Sequence, residues 1–346
     1  MFIERKKIDL NHVQGSILKC YKLNQFANYG PITNKLENKI SKLLNLKNRS
    51  VIMCSSATAG IQTLTNFFQF RSFRKIRWVI SNNSFFSSNI LNLYNSKIID
   101  CSASGAICLT ALKNININSW DGVIYTNTYA FNYDWSSIRK YCLENNKFFF
   151  VDNASGLLDR PFDSNNDYEV ISFHHTKPWG FGEGGAIICP SKVEKKIRTL
   201  INFGSANFSR LKKYSNNYKI SEISSMFILQ WLKKKTNWKS NYLAQEKIVK
   251  KIIINNKLKI SILGNNTKFL SPRSYIPLIL DKKISLQRLK KIKQIIVRKY
   301  YIPILKLKKF KNSINIYQHI VCFPNNPDFL KNKKLNIKNI LFDIQK

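Results

Sequence analysis

No apolar run in the sequence approaches the ~18 residues that a membrane-spanning helix needs, so membrane insertion is not expected. The first ten residues, Met1 to Leu10, are charged and contain no apolar signal region, which argues against secretion and for a cytoplasmic setting. No Cys-x-x-Cys pair occurs. The seven cysteines are scattered and odd in number, so reduced thiols fit better than disulfides or bound zinc. The phosphate-loop pattern G-x-x-x-x-G-K-[ST] and the hydrolase pattern G-x-S-x-G are both missing. Acidic residues are scarce: 19 Asp and Glu stand against 57 Lys and Arg, for a formal net charge of +38.

What is present points to a folded chain. At roughly 150 residues per domain, 346 residues suggest one large domain and a smaller one. Apolar residues make up 44%, with 23 Phe and 15 Tyr, so a sizeable core is possible and a disordered polycation is excluded. The charge invites a nucleic-acid reading, because clustered cations release counterions from phosphates. A blander cause competes with it. The excess is mainly Lys, accompanied by many Asn, Ile, Phe and Tyr, as an AT-rich genome would encode. Residues 241–346 hold 24 basic and 4 acidic residues, a net +20, yet show no stripe of Arg interleaved with aromatics. A solvated basic surface is favoured over a polymer-binding one, and no nucleic-acid partner is expected.

Short apolar runs alternate with amphipathic stretches. The runs cover residues 51–53, 78–80, 123–125, 148–151, 170–173 and 186–189. Helical spacing recurs at 57–70, 87–94, 135–144 and 192–202, and in Ile32, Leu36, Ile40, Leu43 and Leu44 after the turn Asn28-Tyr29-Gly30-Pro31. Strands that are apolar throughout and separated by helices predict a largely parallel sheet covered on both faces, an α/β fold. This block reaches about Phe203. A long helical region is predicted over 219–257, followed by a smaller α+β domain containing a helix over 285–299. The expected division is residues 1–240 and 241–346, without repeats or a flexible linker.

Three motifs bear chemistry. Ser55-Ser56-Ala57-Thr58-Ala59-Gly60 follows a strand and opens a helix; its uncovered amides and the helix dipole suit an anion, although for the segment taken alone an ordinary N-cap by Ser55 or Ser56 is the favoured reading. Asp152 ends a buried strand, where α/β proteins place ligands, or else simply caps a turn. Ser172-Phe173-His174-His175-Thr176-Lys177 precedes Pro178-Trp179-Gly180-Phe181-Gly182-Glu183-Gly184-Gly185. Burial of Lys177 among these aromatics and glycines would lower its pKa and make it an amine nucleophile. Two patterns mislead. Gly180-x-Gly182-x-x-Gly185 is followed by a strand instead of a helix, so it is no dinucleotide fingerprint. His174-His175 are adjacent with no Cys nearby, so no metal site is expected.

Together and in this order, the segments resemble the DegT/DnrJ/EryC1/StrS family of aminotransferases that use pyridoxal phosphate and act on nucleotide-linked keto sugars. Ser172-Phe173-His174-x-x-Lys177 with Gly182-Glu183-Gly184-Gly185 is similar to its most specific signature. Tyr29-Gly30-Pro31, Ser215-Asn216-Asn217-Tyr218-Lys219-Ile220-Ser221-Glu222, Arg298-Lys299-Tyr300-Tyr301-Ile302-Pro303 and Cys322-Phe323-Pro324 resemble further landmarks, so the likeness spans about residues 28–329. The resemblance implies a type I aminotransferase fold. It implies that Lys177 forms the Schiff base with the cofactor and shuttles the proton, and that Asp152 pairs with the pyridinium nitrogen. Ser56, Ala57, Thr58 and Ser172 would bind the cofactor phosphate, and Phe86 would stack on the ring. Asn217 would reach the cofactor of a neighbouring subunit, which implies a homodimer with shared sites. Tyr29, His174 and Arg298 are candidates for substrate contact.

Two positions depart from the pattern. Ser155 stands where the family usually carries Gln or His against the cofactor's phenolic oxygen, and Thr128 where many members carry His. The expected reaction moves an amino group from an amino acid, L-glutamate, to a keto carbon of a nucleoside-diphosphate sugar, for surface polysaccharide. A non-catalytic cofactor-binding relative and a charge-driven nucleic-acid binder are the competing readings.

Overall fold

In the computed structural model, the structure describes residues 4–131, 134–157, 167–204, 209–233, 238–264, 271–332 and 335–346. Seven strands form the main sheet: β1 (Arg49–Cys54), β2 (Trp78–Ser81), β3 (Lys97–Ile99), β4 (Gly122–Thr126), β5 (Phe148–Asp152), β6 (Glu169–Ser172) and β7 (Gly185–Pro190). Their order across the sheet is β1-β7-β6-β5-β4-β2-β3. Only β7 runs against the others, pairing antiparallel with β1 and β6. The six apolar runs of the sequence all become strands. β3, only three residues long and half-buried over two of them, carries too little pattern to be seen beforehand.

Both faces of the sheet are buried, which explains strands that are apolar throughout. Ile52, Ile124, Phe150, Val170 and Ile187 pack on one side with Ile61, Leu64, Phe67 and Phe68 of helix α3 (Ala57–Ser72). Their alternate neighbours point the other way, as the pleat requires. Val51, Met53, Ile171 and Ile188 meet helices α1 (Leu10–Lys22), α2 (Pro31–Leu43) and Glu222–Lys233. Val123, Tyr125, Phe149 and Val151 meet the helix Ser136–Glu144. α3 lies close to the sheet because Gly60 has no side chain; a Cβ there would stand 3.0 Å from Val170.

A second, three-stranded antiparallel sheet has the order β10-β9-β8, with β8 (Ile260–Ile262), β9 (Tyr275–Leu280) and β10 (Ile320–Pro324). Its core includes Leu278, Val321 and Phe323 with Val249 and Ile253 of the helix Trp238–Asn255. That helix runs without a break through position 240. Within the helical region expected over 219–257 the structure has helices Glu222–Lys233 and Trp238–Asn255; residues 234–237 lie outside the described set. The helix expected over 285–299 is corrected to Leu286–Lys290 alone. Beyond it Ile295 and Val297 are buried and Ile296 is 51% exposed, the two-residue alternation of extended chain. Arg298 then bridges to Cys322 beside β10. The helix expected over 87–94 is two 3₁₀ turns, Phe86–Asn89 and Leu91–Leu93, broken where Leu91 takes a left-handed φ of 52°.

One buried carboxylate joins two helices of the same layer. The N-cap of α2 is Gly30, which has no side chain to receive the first amides. Glu222 replaces it from the helix packed alongside, about 190 residues later in the chain, accepting from the amides of Ile32 (2.7 Å) and Thr33 and from the Thr33 hydroxyl. The approach depends on the bare Gly30, whose Cβ would fall 2.8 Å from the Glu222 carboxyl carbon. Replacing Glu222 by Ala strands these buried donors. Urea unfolding at neutral pH should then show a loss of about 3 kcal/mol.

Candidate active site

The carboxyl ends of β1, β2, β4, β5 and β6 lie along one edge of the sheet, the position at which open α/β sheets form ligand crevices. A cavity of about 330 Å³ opens there. Its floor and walls include Ser56, Ala57 and Thr58 after β1, Phe85 after β2, Thr126, Asp152, Ala154 and Ser155 after β4 and β5, and Ser172, His174, Thr176 and Lys177 after β6. Tyr275, Tyr300 and Tyr301 close the opposite side. Nearly all the chemistry-bearing segments of the sequence therefore meet in one place.

Each wall has a local cause. Ser56 is extended and caps α3, its hydroxyl accepting from the Ala59 amide at 3.1 Å. The amides of Ala57 and Thr58 are in the first turn, where no intrahelical carbonyl reaches them, and the helix dipole adds positive potential. Gly185 lets β7 run against this turn; a Cβ there would sit 2.4 Å from the Ser56 carbonyl carbon. The segment 215–220 lies beside it, since the Ser55 amide donates to the Tyr218 carbonyl at 2.8 Å.

Asp152 is buried at the end of β5. Its carboxylate accepts from the Ala154 amide at 3.1 Å and lies 3.5 Å from the Ser88 hydroxyl. Burial raises its pKa to about 6, against the opposing pull of that amide, of Lys177 and of Ser88. Lys177 is half-buried, and desolvation of its amine lowers its ammonium to about 8 although Asp152 works the other way. An appreciable fraction of the amine is therefore neutral near neutral pH, as a nucleophile requires.

The turn that carries Lys177 is tightly built. The Lys177 amide donates to the His174 carbonyl (2.9 Å), and the Gly180 amide to the Lys177 carbonyl (3.0 Å). Gly180 admits no side chain, since a Cβ would lie 2.2 Å from the His174 carbonyl oxygen. The buried Trp179 indole donates to the Ser172 carbonyl at 2.7 Å and Trp231 to that of Pro178 at 2.8 Å. His174 stands at the cavity with Nδ1 2.8 Å from the Thr176 hydroxyl and Nε2 3.3 Å from Glu183.

Four expected site residues lie outside this cavity. Phe86 is 58% exposed and does not line it; Phe85 does. Phe85 is extended just before the 3₁₀ turn, so adjacent side chains diverge and a shift of one position exchanges the rings. Tyr29 faces a separate recess, its ring 4.7 Å below the Arg198 guanidinium and its hydroxyl donating to the Met53 carbonyl at 3.2 Å. Arg198 is held there by Glu37 at 2.7 Å. Arg298 is exposed, 3.4 Å from the Tyr300 hydroxyl, because its backbone is bridged to Cys322. Asn217 is exposed and accepts from Lys219 at 2.7 Å.

Besides Phe85, three aromatic residues line the cavity without being candidates from the sequence. Tyr301 is buried and adopts a left-handed φ of 56°, with its hydroxyl 2.9 Å from that of Ser155. Tyr275 and Tyr300 stack at 4.7 Å. Tyr300 and Tyr301 were legible only as part of a landmark, and Tyr275 reads as an ordinary strand residue. Thr128 is buried away from the cavity lining and donates to the Gly105 carbonyl at 3.1 Å. Among the described residues no group of three or more His, Cys, Asp or Glu is placed to hold a metal ion.

The Asp152 shift has a thermodynamic consequence. Its folded pKa of about 6 exceeds the ordinary 3.8, so the folded protein binds this proton more tightly and loses stability as pH rises from about 4 to about 6. Asp152→Asn abolishes that loss. Without added ligands the variant should be more stable than the parent at pH 7, by up to about 3 kcal/mol, and the advantage should vanish below about pH 4. Urea titrations across that range measure it.

Comparison with known proteins agrees with this geometry. Over 196 residues the chain is 28% identical to dTDP-4-amino-4,6-dideoxy-D-glucose transaminase of Shigella dysenteriae, a stretch covering 51% of this chain and 51% of that protein. The match thus spans about half the length of the curated relative. Helicobacter pylori PseC, an aminotransferase of pseudoaminic acid biosynthesis, superposes with a TM-score of 0.81 at 19% identity, covering 99% of this chain and 97% of PseC. NtdA of Bacillus subtilis, whose structure holds the cofactor PMP, superposes at 0.77 and 16% identity, covering 97% of this chain and 81% of NtdA. These structures establish the fold as that of the PLP-dependent aminotransferases. With a match over residues 9–333, the chain belongs to the DegT/DnrJ/EryC1/StrS aminotransferase family.

Proposed function

We propose that this protein is a pyridoxal-phosphate-dependent aminotransferase that moves an amino group from L-glutamate to a keto carbon of a nucleoside-diphosphate-linked deoxysugar. The observation that carries the reading is the meeting of a buried Asp152 and a half-buried, desolvated Lys177 on the walls of one cavity whose third wall is the N-terminus of α3.

The residues fit the cofactor. Asp152 is a buried carboxylate whose neighbours leave it short of compensation, so a protonated ring nitrogen suits it. The first turn of α3 with Ser172 suits a phosphate, and Phe85 offers a flat apolar face. When bound, the cofactor supplies an electron sink for the carbanion at the amino-acid α-carbon. Asp152 holds the proton on the ring nitrogen and so keeps that sink effective. The Lys177 amine would hold the cofactor and, once free, would take the α-proton as base and return it as acid. Ser56, Thr58 and the adjoining amides anchor the phosphate. The paired hydroxyls of Ser155 and Tyr301 take the place of the longer side chain that the family usually carries near position 155. His174, tied to Thr176 and Glu183, stands on the substrate side. One water supplies the oxo oxygen of the departing 2-oxo acid as glutamate gives up its amino group, and the keto oxygen of the sugar leaves as water when that group is delivered, so water balances over the two halves.

The wider setting belongs to the same proposal. Seven unpaired cysteines, most of them buried, support a reducing cytoplasm. No helix of the described residues is long and apolar enough to cross a membrane. The exposure of Asn217 is what a role toward a neighbouring copy in a homodimer requires. The family resemblance supports a place for the product in surface polysaccharide.

Purified protein incubated with pyridoxal phosphate should acquire the absorbance of a lysine-bound cofactor. Glutamate should bleach it, and a panel of keto-sugar nucleotides should yield one amino-sugar product by mass. Lys177→Ala should lose the absorbance and at least about 10³-fold in turnover. Failure of the parent protein to bind the cofactor overturns the reading. Binding without bleaching by glutamate or any other amino acid favours a non-catalytic relative.

A further inference from the structure

The side chain of Lys6 is buried directly behind the turn that carries Lys177. Its ammonium donates to three backbone carbonyls of that turn: His175 at 2.9 Å, Lys177 itself and Gly180. The same ammonium lies 5.2 Å from the ring centroid of Trp231, whose indole nitrogen donates to the Pro178 carbonyl in the same turn. Three acceptors within six residues therefore converge on one cation from a segment about 170 residues earlier in the chain.

The convergence has a physical basis. The turn folds so tightly around Gly180 that its carbonyls point inward together, and clustered buried carbonyls are costly without donors. A lysine ammonium is the one side-chain group that offers three donors from a single atom, and the Trp231 face favours its positive charge. The segment is anchored by the two residues just before Lys6. The Tyr242 hydroxyl donates to Glu4 at 3.1 Å, and the Arg5 amide donates to Asp328 at 2.8 Å. The strap thus ties the turn of the large sheet to the helix Trp238–Asn255 and to the segment after β10.

We propose that Lys6 is a positioning residue: its ammonium fixes the backbone at Lys177 and so the direction in which the Lys177 amine enters the cavity, a role that rests on Lys177 being the cofactor-binding amine. The Lys177 carbonyl is one of the three acceptors, so loss of the clamp frees the peptide adjoining the nucleophile's own Cα. Lys6 does not line the cavity and touches none of the reacting groups.

The test uses the full chain with Lys6→Met and Lys6→Arg. Amide hydrogen exchange without cofactor reads the turn directly. In Lys6→Met, exchange at Lys177 and Gly180 should rise about tenfold or more while amides of β4 and β5 keep their protection. With cofactor bound, the pH midpoint of its absorbance should move by about 0.5 or more. Turnover should fall about tenfold with the KM for the amino donor changed less than about twofold. Lys6→Arg, which keeps charge and donors, should recover part of each effect. A folded Lys6→Met protein with parental exchange and parental midpoint overturns the proposal. If Lys6→Met does not fold, Lys6→Gln decides by the same readouts. If the parent protein binds no cofactor, the assignment of Lys177 fails, and unaltered exchange in the variant would still be needed to dismiss the clamp itself.

Discussion

An ionisable carboxyl and an ionisable amine, the buried Asp152 and the half-buried Lys177, are desolvated in the same cavity, and the surrounding structure must hold them there against their tendency to hydrate. Burial shifts each toward its neutral form, Asp152 up to about 6 and Lys177 down to about 8, while each partly offsets the shift in the other. Such groups persist only where neighbouring contacts over-determine their positions. The sheet supplies that rigidity for Asp152, which ends a strand paired on both sides by β4 and β6. Lys177 has no strand beneath it. It depends on a loop held by hydrogen bonds from two tryptophans, by a glycine that no other residue could replace without a clash, and by the ammonium of Lys6.

The same economy of contact appears at the phosphate-binding turn. A helix N-terminus is electropositive only while its first amides stay uncovered. Ser56 satisfies the amide of Ala59 and leaves those of Ala57 and Thr58 facing the cavity, and Gly185 lets β7 approach without pushing the turn away. At the start of α2 the opposite solution is found: the amides there are closed by Glu222, and the helix serves packing. Whether a helix start binds a ligand or a buried carboxylate is decided by what the fold brings against it.

Net charge bears little on this site. Among the described residues the cavity lining contains one lysine and no arginine, so the +38 of the chain is not concentrated on them. Several arginines have structural partners: the buried or half-buried Arg198 pairs with Glu37 and Arg273 with Glu246, and the exposed Arg74 and Arg77 hold Asp121 well below the usual carboxylate range despite its burial. Positive potential from the remaining surface can assist capture of phosphate-bearing ligands only at long range.

Local pattern was sufficient for the six main strands, for α3 and for the three segments whose small, acidic or amine residues follow strands, because burial on both faces leaves uninterrupted apolar runs and the chemistry sits just past their ends. It failed where a single position or a distant partner matters. Phe85 and Phe86 are the same residue type, and the turn that selects between them is set by backbone torsion. Ile295, Ile296 and Val297 satisfy a helical period as readily as an extended one, and pairing of Arg298 with Cys322 chooses the latter. Tyr29 resembles a ligand residue until Arg198 covers its ring. Lys6 is flanked by Arg5 and Lys7 and carries no mark of its own; its role arises because three carbonyls, folded together around Gly180, meet it from about 170 residues away. Periodicity and short motifs report what a residue's neighbours along the chain require, whereas burial, desolvation and multi-acceptor hydrogen bonding depend on which groups the folded chain brings into contact.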